Sequence, residues 1–178
     1  MNARKKLILI SFLLLIAFCS TAFAYMFKQT DYKENTFIPA QVSCEVKEVT
    51  NNDISEKSEI KVKNTSNIPV YIRLHFVSYW SNNEGIISKS SPIISFKLSD
   101  NWIKSSDNTY YYRTAVMPSD LTSNLLAEGS VIELQEDNEG NKQVIEVFAE
   151  AIQSKPQKAV INSWKITLDN DGYIASAP

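Results

Sequence analysis

The sequence predicts an all-β domain, an antiparallel β-sandwich with one or two short helices. Three observations point there: apolar residues recur with period two, clusters of turn formers separate the alternating runs, and long amphipathic helical windows are scarce. The longest run is Val70-Tyr71-Ile72-Arg73-Leu74-His75-Phe76-Val77-Ser78-Tyr79-Trp80. It sends Val70, Ile72, Leu74, Phe76 and Trp80 to one face and Tyr71, Arg73, His75 and Tyr79 to the other, because successive side chains leave a pleated strand on opposite sides. Ile60 and Val62 alternate with Lys61 and Lys63. Ile94, Phe96 and Leu98 alternate with Ser95 and Lys97, and Ile145, Val147, Ala149 and Ala151 largely with glutamates. Each run is expected to be a strand. Asn64-Thr65-Ser66-Asn67, Asn82-Asn83-Glu84-Gly85, Asp137-Asn138-Glu139-Gly140-Asn141 and Asp169-Asn170-Asp171-Gly172 supply the turns. Helix is expected only after Pro156, over residues 157–164, and around residues 121–127, where Pro118-Ser119-Asp120 would open it.

The N-terminus follows another logic. Arg4, Lys5 and Lys6 precede an apolar run over residues 7–18, and Ala22-Phe23-Ala24 comes next. That order is a secretory leader, cut after Ala24, with Ala22 and Ala24 as the small residues a signal peptidase requires. The apolar run is about a dozen residues, whereas a bilayer span needs about 20, which argues against a retained anchor. Cys19 follows the bulky Phe18, which argues against a lipid acceptor. The chain thus divides into a leader (residues 1–24), an N-terminal extension (25–39) that is polar and poorly patterned until Phe37-Ile38-Pro39, and a β-sandwich domain (40–178). The processed chain is expected outside the cell or on its surface and free of the membrane. Without a C-terminal sorting motif or apolar tail, covalent attachment to a wall is not expected.

Charge and cysteine usage narrow the function classes. The chain has 18 Lys and Arg against 20 Asp and Glu. The leader holds three of the basic residues and none of the acidic ones, so the processed chain of 154 residues carries a net charge of −5. A nucleic-acid binder needs a basic face to displace counterions, and a membrane-surface helix needs clustered Lys and Arg. Neither pattern is present. Of Cys19 and Cys44, only Cys44 survives cleavage, so no intramolecular disulfide can form and the core alone must hold the fold. Cys44 shares a strand face with Val42 and Val46. A buried, inert thiol is the simpler reading, and an intermolecular disulfide is the alternative.

The residue types that carry catalysis are sparse. His75 is the one histidine, which excludes a zinc-protease pair of histidines and leaves a nucleophilic triad without spare bases. Its place on the polar face of a strand marks a surface residue. Glu146 and Glu150 stand four residues apart on a strand, about 13 Å along the backbone, beyond the 5–10 Å of paired catalytic carboxylates. Asp169-Asn170-Asp171-Gly172 lacks the further ligands of a twelve-residue calcium loop and reads as a turn. Tyr110-Tyr111-Tyr112 with Tyr71, Tyr79, Trp80 and Trp102 could form an aromatic platform, although such rings are ordinary core filling. Asn64-Thr65-Ser66 matches a glycosylation acceptor too short to carry weight. No enzyme activity, metal or cofactor is expected.

Several landmarks together resemble a known family. They are the Ala22-Phe23-Ala24-Tyr25 junction, the stretch Val62-Lys63-Asn64-Thr65-Ser66-Asn67-Ile68-Pro69-Val70-Tyr71-Ile72-Arg73, Tyr110-Tyr111-Tyr112 leading to Met117-Pro118-Ser119-Asp120-Leu121-Thr122, and Ala149-Glu150-Ala151-Ile152-Gln153 before Trp164. Their order and spacing resemble the TasA/camelysin-like exported proteins of Gram-positive bacteria, whose precursors are processed by a SipW-type signal peptidase. The resemblance implies a jelly-roll type of sandwich and a structural role in biofilm matrix or surface fibres. In fibre-forming relatives the mature N-terminal segment adds as a strand to the next subunit. Here that donor would lie in residues 25–39, with Tyr25, Phe27, Phe37 and Ile38 as its apolar contacts. Implied partners are other copies or related matrix subunits, and the signal peptidase during export. The metallopeptidase label of camelysin-like members finds no HExxH here. A monomeric adhesin or binding module using exposed aromatics is the alternative expectation.

Overall fold

A computed structural model describes residues 4–6, 10–12, 14–17, 19–20, 39–50, 56–90 and 92–178. It divides into two compact units, Met1–Ile38 and Pro39–Pro178. The described residues of the first unit are helical, with Ile10, Phe12, Leu14, Leu15 and Ile16 exposed. Among the described residues no helix is long and apolar enough to cross a membrane.

The second unit is mostly β, built from antiparallel sheets with one short helix. Strands β1 (Cys44–Thr50), β2 (Glu56–Asn64) and β7 (Ile132–Glu133) form one sheet in the order β1-β2-β7. In the larger sheet β3 (Val70–Asn82) pairs along one edge with β8 (Lys142–Gln153) and along the other with β4 (Gly85–Ile87) at one end and β6 (Tyr110–Tyr112) nearer the other, with β5 (Trp102–Lys104) outside β6. The β3–β8 ladder runs without interruption from Val70↔Gln153 to Ser81↔Lys142. The period-two runs at residues 60–63, 70–80 and 145–151 therefore became β2, β3 and β8. A small pair, β9 (Thr167–Leu168) with β10 (Ile174–Ser176), closes the chain.

The main core lies between the facing rows of the two larger sheets. It joins Ile60 and Val62 of β2 to Val70, Ile72 and Leu74 of β3, with Trp102, Tyr110, Leu125, Leu126, Ile132 and Ile145 buried among them. Each such aliphatic side chain, once buried, contributes about 1.5–3 kcal/mol. A second core sits on the opposite face of β3, where Tyr71 and Tyr111 meet Val160 and Trp164 of helix α1 (Gln157–Trp164), with Ile166 and Ile174. The helix has no side-chain cap and no acidic residue in its first turn. It is held by Val160 and Trp164, whose i, i+4 spacing puts both on the face that meets the sheet, and it ends where Lys165 turns left-handed at φ 56°.

Three expectations fail locally. Residues 121–127 are extended rather than helical, because they lie along the β2 edge that β1 leaves free. Thr122 donates its N–H to the Val62 carbonyl, Leu125 donates to Ile60, and the Thr122 and Asn124 side chains accept the Val62 and Ile60 N–H groups. Residues 94–98 form no regular strand. A single bridge pairs Leu98 with Leu126, and the Lys97 N–H goes to the Ser130 hydroxyl. Tyr71, placed by alternation on a polar face, is only 3% exposed because the second core covers it.

Candidate functional site

The residues singled out for assembly and processing, Tyr25, Phe27, Phe37, Ile38, Ala22 and Ala24, lie outside the described residues. What is described is the point where the extension enters the domain. Asn67 reaches across to it: its Oδ1 accepts the Gln41 N–H at 2.9 Å and its Nδ2 donates to the Pro39 carbonyl at 3.0 Å. The Ser66 hydroxyl accepts the Ser43 N–H at 2.8 Å and donates to the Ser43 carbonyl at 2.9 Å. The Thr65 hydroxyl donates to the Ser43 hydroxyl, and the Thr65 N–H to the Ser43 carbonyl. Asn64 props this turn from inside. It is fully buried, its Nδ2 donates to the Ile68 and Val116 carbonyls, and its Oδ1 accepts the Ser66 N–H. With its amide so committed, Asn64 is a structural keystone and no glycan acceptor.

From this anchor the chain runs into β1, an edge strand. Backbone groups alternate in direction along an antiparallel strand. Because Val62 and Asn64 turn their N–H groups toward residues 120–122, β1 bonds β2 through Glu45, Lys47 and Val49. Cys44, Val46 and Glu48 then direct theirs outward. On β8 the Gln143 N–H leaves β3 for the Gln135 carbonyl, so Ile145, Val147, Ala149 and Ala151 also point their backbone groups away from β3. Among the described residues no strand pairs with either outward row, although β1 and β8 approach within 8 Å at Cα. The side chains on those same residues face the main core, yet Cys44, Val46, Val147, Ala149 and Ala151 are only partly buried. An unpaired, half-closed seam results. At its β1 end Glu48 pairs with Lys57 at 2.8 Å, while the inward row of β8 carries no charge. Burial, and after it the negative charge of Glu150, push the Cys44 thiol up from its ordinary pKa.

The outer face of β3 and β8 holds the carboxylates considered for catalysis. Glu150 accepts from Arg73 Nη2 at 2.7 Å and Nε at 3.1 Å, and its Oε1 lies 3.1 Å from His75 Nε2. Burial works against the Arg73 charge, but its bonds to Glu150 and Tyr111 outweigh that and hold its pKa above the ordinary value. The guanidinium also sits 4.9 Å over the Trp164 ring. Glu146 accepts from the Tyr79 hydroxyl at 2.8 Å. Both carboxylates are thus engaged in cross-strand contacts. Most of the rings weighed for an aromatic platform fill the core instead: Tyr71, Trp80, Trp102, Tyr110 and Tyr111 are buried. His75 lies against Phe148 with ring centroids 6.3 Å apart. Among the described residues no group of three or more His, Cys, Asp or Glu side chains could hold a metal ion.

The sequence marked β8 as a strand but not as an edge, since edge status depends on which strands pair and the alternation is the same either way. The chain matches no protein-family model, no curated protein and no solved structure.

Proposed function

We propose that the processed chain is an exported structural subunit of the bacterial cell surface or biofilm matrix, a jelly-roll type of β-sandwich that joins its neighbours by strand donation onto the outer edge of β8. The supporting observation is the seam. Ile145, Val147, Ala149 and Ala151 turn outward backbone groups that no described strand pairs, and the side chains of Val147, Ala149 and Ala151 face inward only partly buried. An added strand satisfies the first and covers the second. Edges that must stay unpaired are guarded by proline, bulges or inward charges, and this row has none. The donor is residues 25–39 of another copy, leaving its own domain at the Asn67 anchor. The role is assembly, not catalysis.

The test is light scattering and electron microscopy of the chain beginning at Tyr25. Concentration-dependent assembly is expected, and it is lost on deleting residues 25–39. Ala149→Pro removes an outward N–H without touching the β3 ladder, and it should block assembly while circular dichroism stays native. A synthetic peptide of residues 25–39 should compete. A processed chain that stays monomeric at its highest soluble concentration sinks the proposal, as does assembly indifferent to the deletion.

A further inference from the structure

On the far side of the second core lies a cleft of 340 Å³, lined by Tyr71, Thr114, Ser154, Lys155, Gln157, Asp171 and Tyr173 among others. Its size reaches the range of small-ligand sites, which starts at about 300 Å³. Three separate chain segments make the walls, and each is fixed by the backbone. The Ser154 N–H donates to the Pro69 carbonyl at 3.0 Å, and Ile174 donates to Arg113 at 2.8 Å. Asp169 Oδ1 closes the turn by accepting the N–H groups of Asp171 and Tyr173. The floor is Tyr71, whose hydroxyl donates to the Gly172 carbonyl at 2.6 Å. Gly172 has φ 83°, and a Cβ there would come within 3.4 Å of both Gln157 Nε2 and the Tyr71 hydroxyl. The cleft is therefore formed before any ligand arrives.

Apart from the Tyr71 hydroxyl, most of its polar side chains are not used by the fold. Among the described residues, no hydrogen bond or ion pair is formed by the side chains of Thr114, Lys155, Gln157 or Asp171, and the Tyr173 ring is 47% exposed. Lys155 and Asp171 share the cleft yet stay unpaired, so the site offers one cation, one anion, an amide and a hydroxyl beside an aromatic ring.

We infer that this cleft is a binding site for a neutral carbohydrate. Sugar hydroxyls donate and accept at once, which matches the mixed set of Lys donor, Asp acceptor, and Gln and Thr that do both. The C–H face of a pyranose is apolar and lies against an exposed ring such as Tyr173, whose amphipathic body suits that contact. A simple anion would face Asp171, and a simple cation would face Lys155. A zwitterion such as a dipeptide would use those two charges, both open to water and therefore worth little, and would leave Gln157, Thr114 and the ring idle. The inference does not rest on the assembly reading, since the cleft uses no residue of the β8 edge.

The test is isothermal titration of the full processed chain with neutral trisaccharides of glucose and of N-acetylglucosamine, and with glycylglycine as the zwitterionic arm. Saturable binding of at least one trisaccharide is expected, with about tenfold or greater loss in Tyr173→Ala and in Gln157→Ala. Both positions are exposed, so melting should be unchanged, and Lys104→Ala, outside the cleft, should bind as the parent does. No saturable trisaccharide binding, binding equal in both cleft variants, or binding of the dipeptide alone overturns the inference.

Discussion

Replacing Asn64 by alanine removes three hydrogen bonds at one point. The Ser66 N–H is then a buried donor with no acceptor, since Ser66 is 5% exposed, and such an orphan costs about 1–3 kcal/mol. The Ile68 carbonyl loses its donor, for about 1 kcal/mol more. Val116 keeps the Val70 N–H at 3.0 Å, so its share is small. The sum is about 3 kcal/mol, a large part of the 5–15 kcal/mol typical of a domain. At about 3 °C per kcal/mol for a domain of this size, the melting midpoint should fall by about 9 °C. Hydrogen exchange should quicken at residues 41–43 as well, because the turn that Asn64 props is what holds Gln41 and Ser43. Asn64→Asp keeps the acceptor for Ser66 but aims a buried carboxylate at two carbonyls. It should be at least as harmful at neutral pH and partly relieved on acidification, when the acid regains a proton to donate. Melting by circular dichroism decides the matter: an Asn64→Ala midpoint within about 2 °C of the parent would refute the keystone reading.

Two further outcomes follow from the charges. The Lys89 ammonium, with Asn141, holds the Asp137 carboxyl well below the ordinary aspartate value of 3.8, and the Ser105 hydroxyl with the Thr109 N–H lowers Asp107. A depressed carboxyl stabilises fully above its unfolded value and loses that contribution as pH falls toward the folded one. The midpoint should therefore drop below about pH 4, and Asp137→Asn should lower it at neutral pH and flatten the acid slope; an unchanged slope would show that Asp137 does not carry the acid sensitivity. Cys44, half-buried with its thiol pKa raised, should alkylate about tenfold more slowly than a free thiol at neutral pH. Addition of a strand at the seam should slow it further, and alkylation as fast as free cysteine would mean the seam is fully open.

Long strands were legible because each packs an apolar row against the main core: the rows at 60–62, 70–74 and 145–151 alternate for that reason, even though a second core also covers Tyr71 on the opposite face of β3. The helix after Pro156 was legible from its punctuation, and Val160 with Trp164 bears it out. Residues 121–127 misled because Pro118-Ser119-Asp120 resembles a helix start, whereas Thr122 and Asn124 spend their side chains on the β2 backbone. β5, β6, β9 and β10 are too short for a period to register. Nothing in the sequence joined residues 71, 114, 154–157 and 171–173 into a cleft, since tertiary packing alone brings them together. Tyr173 stands alone in a turn with no pattern around it, whereas the tyrosine triplet is conspicuous in the sequence and yet has two of its rings buried.

The anchor at residues 39–43 also fixes how force enters the domain. A pull on Pro39 meets the Asn67 amide first, then the Ser66 and Thr65 hydroxyls, before it reaches the β1–β2 ladder that begins at Cys44↔Asn64. Those side-chain bonds are short, local and able to re-form, while the ladder behind them is cooperative. Under tension the domain would yield at Asn67 and recover, with its sheets intact.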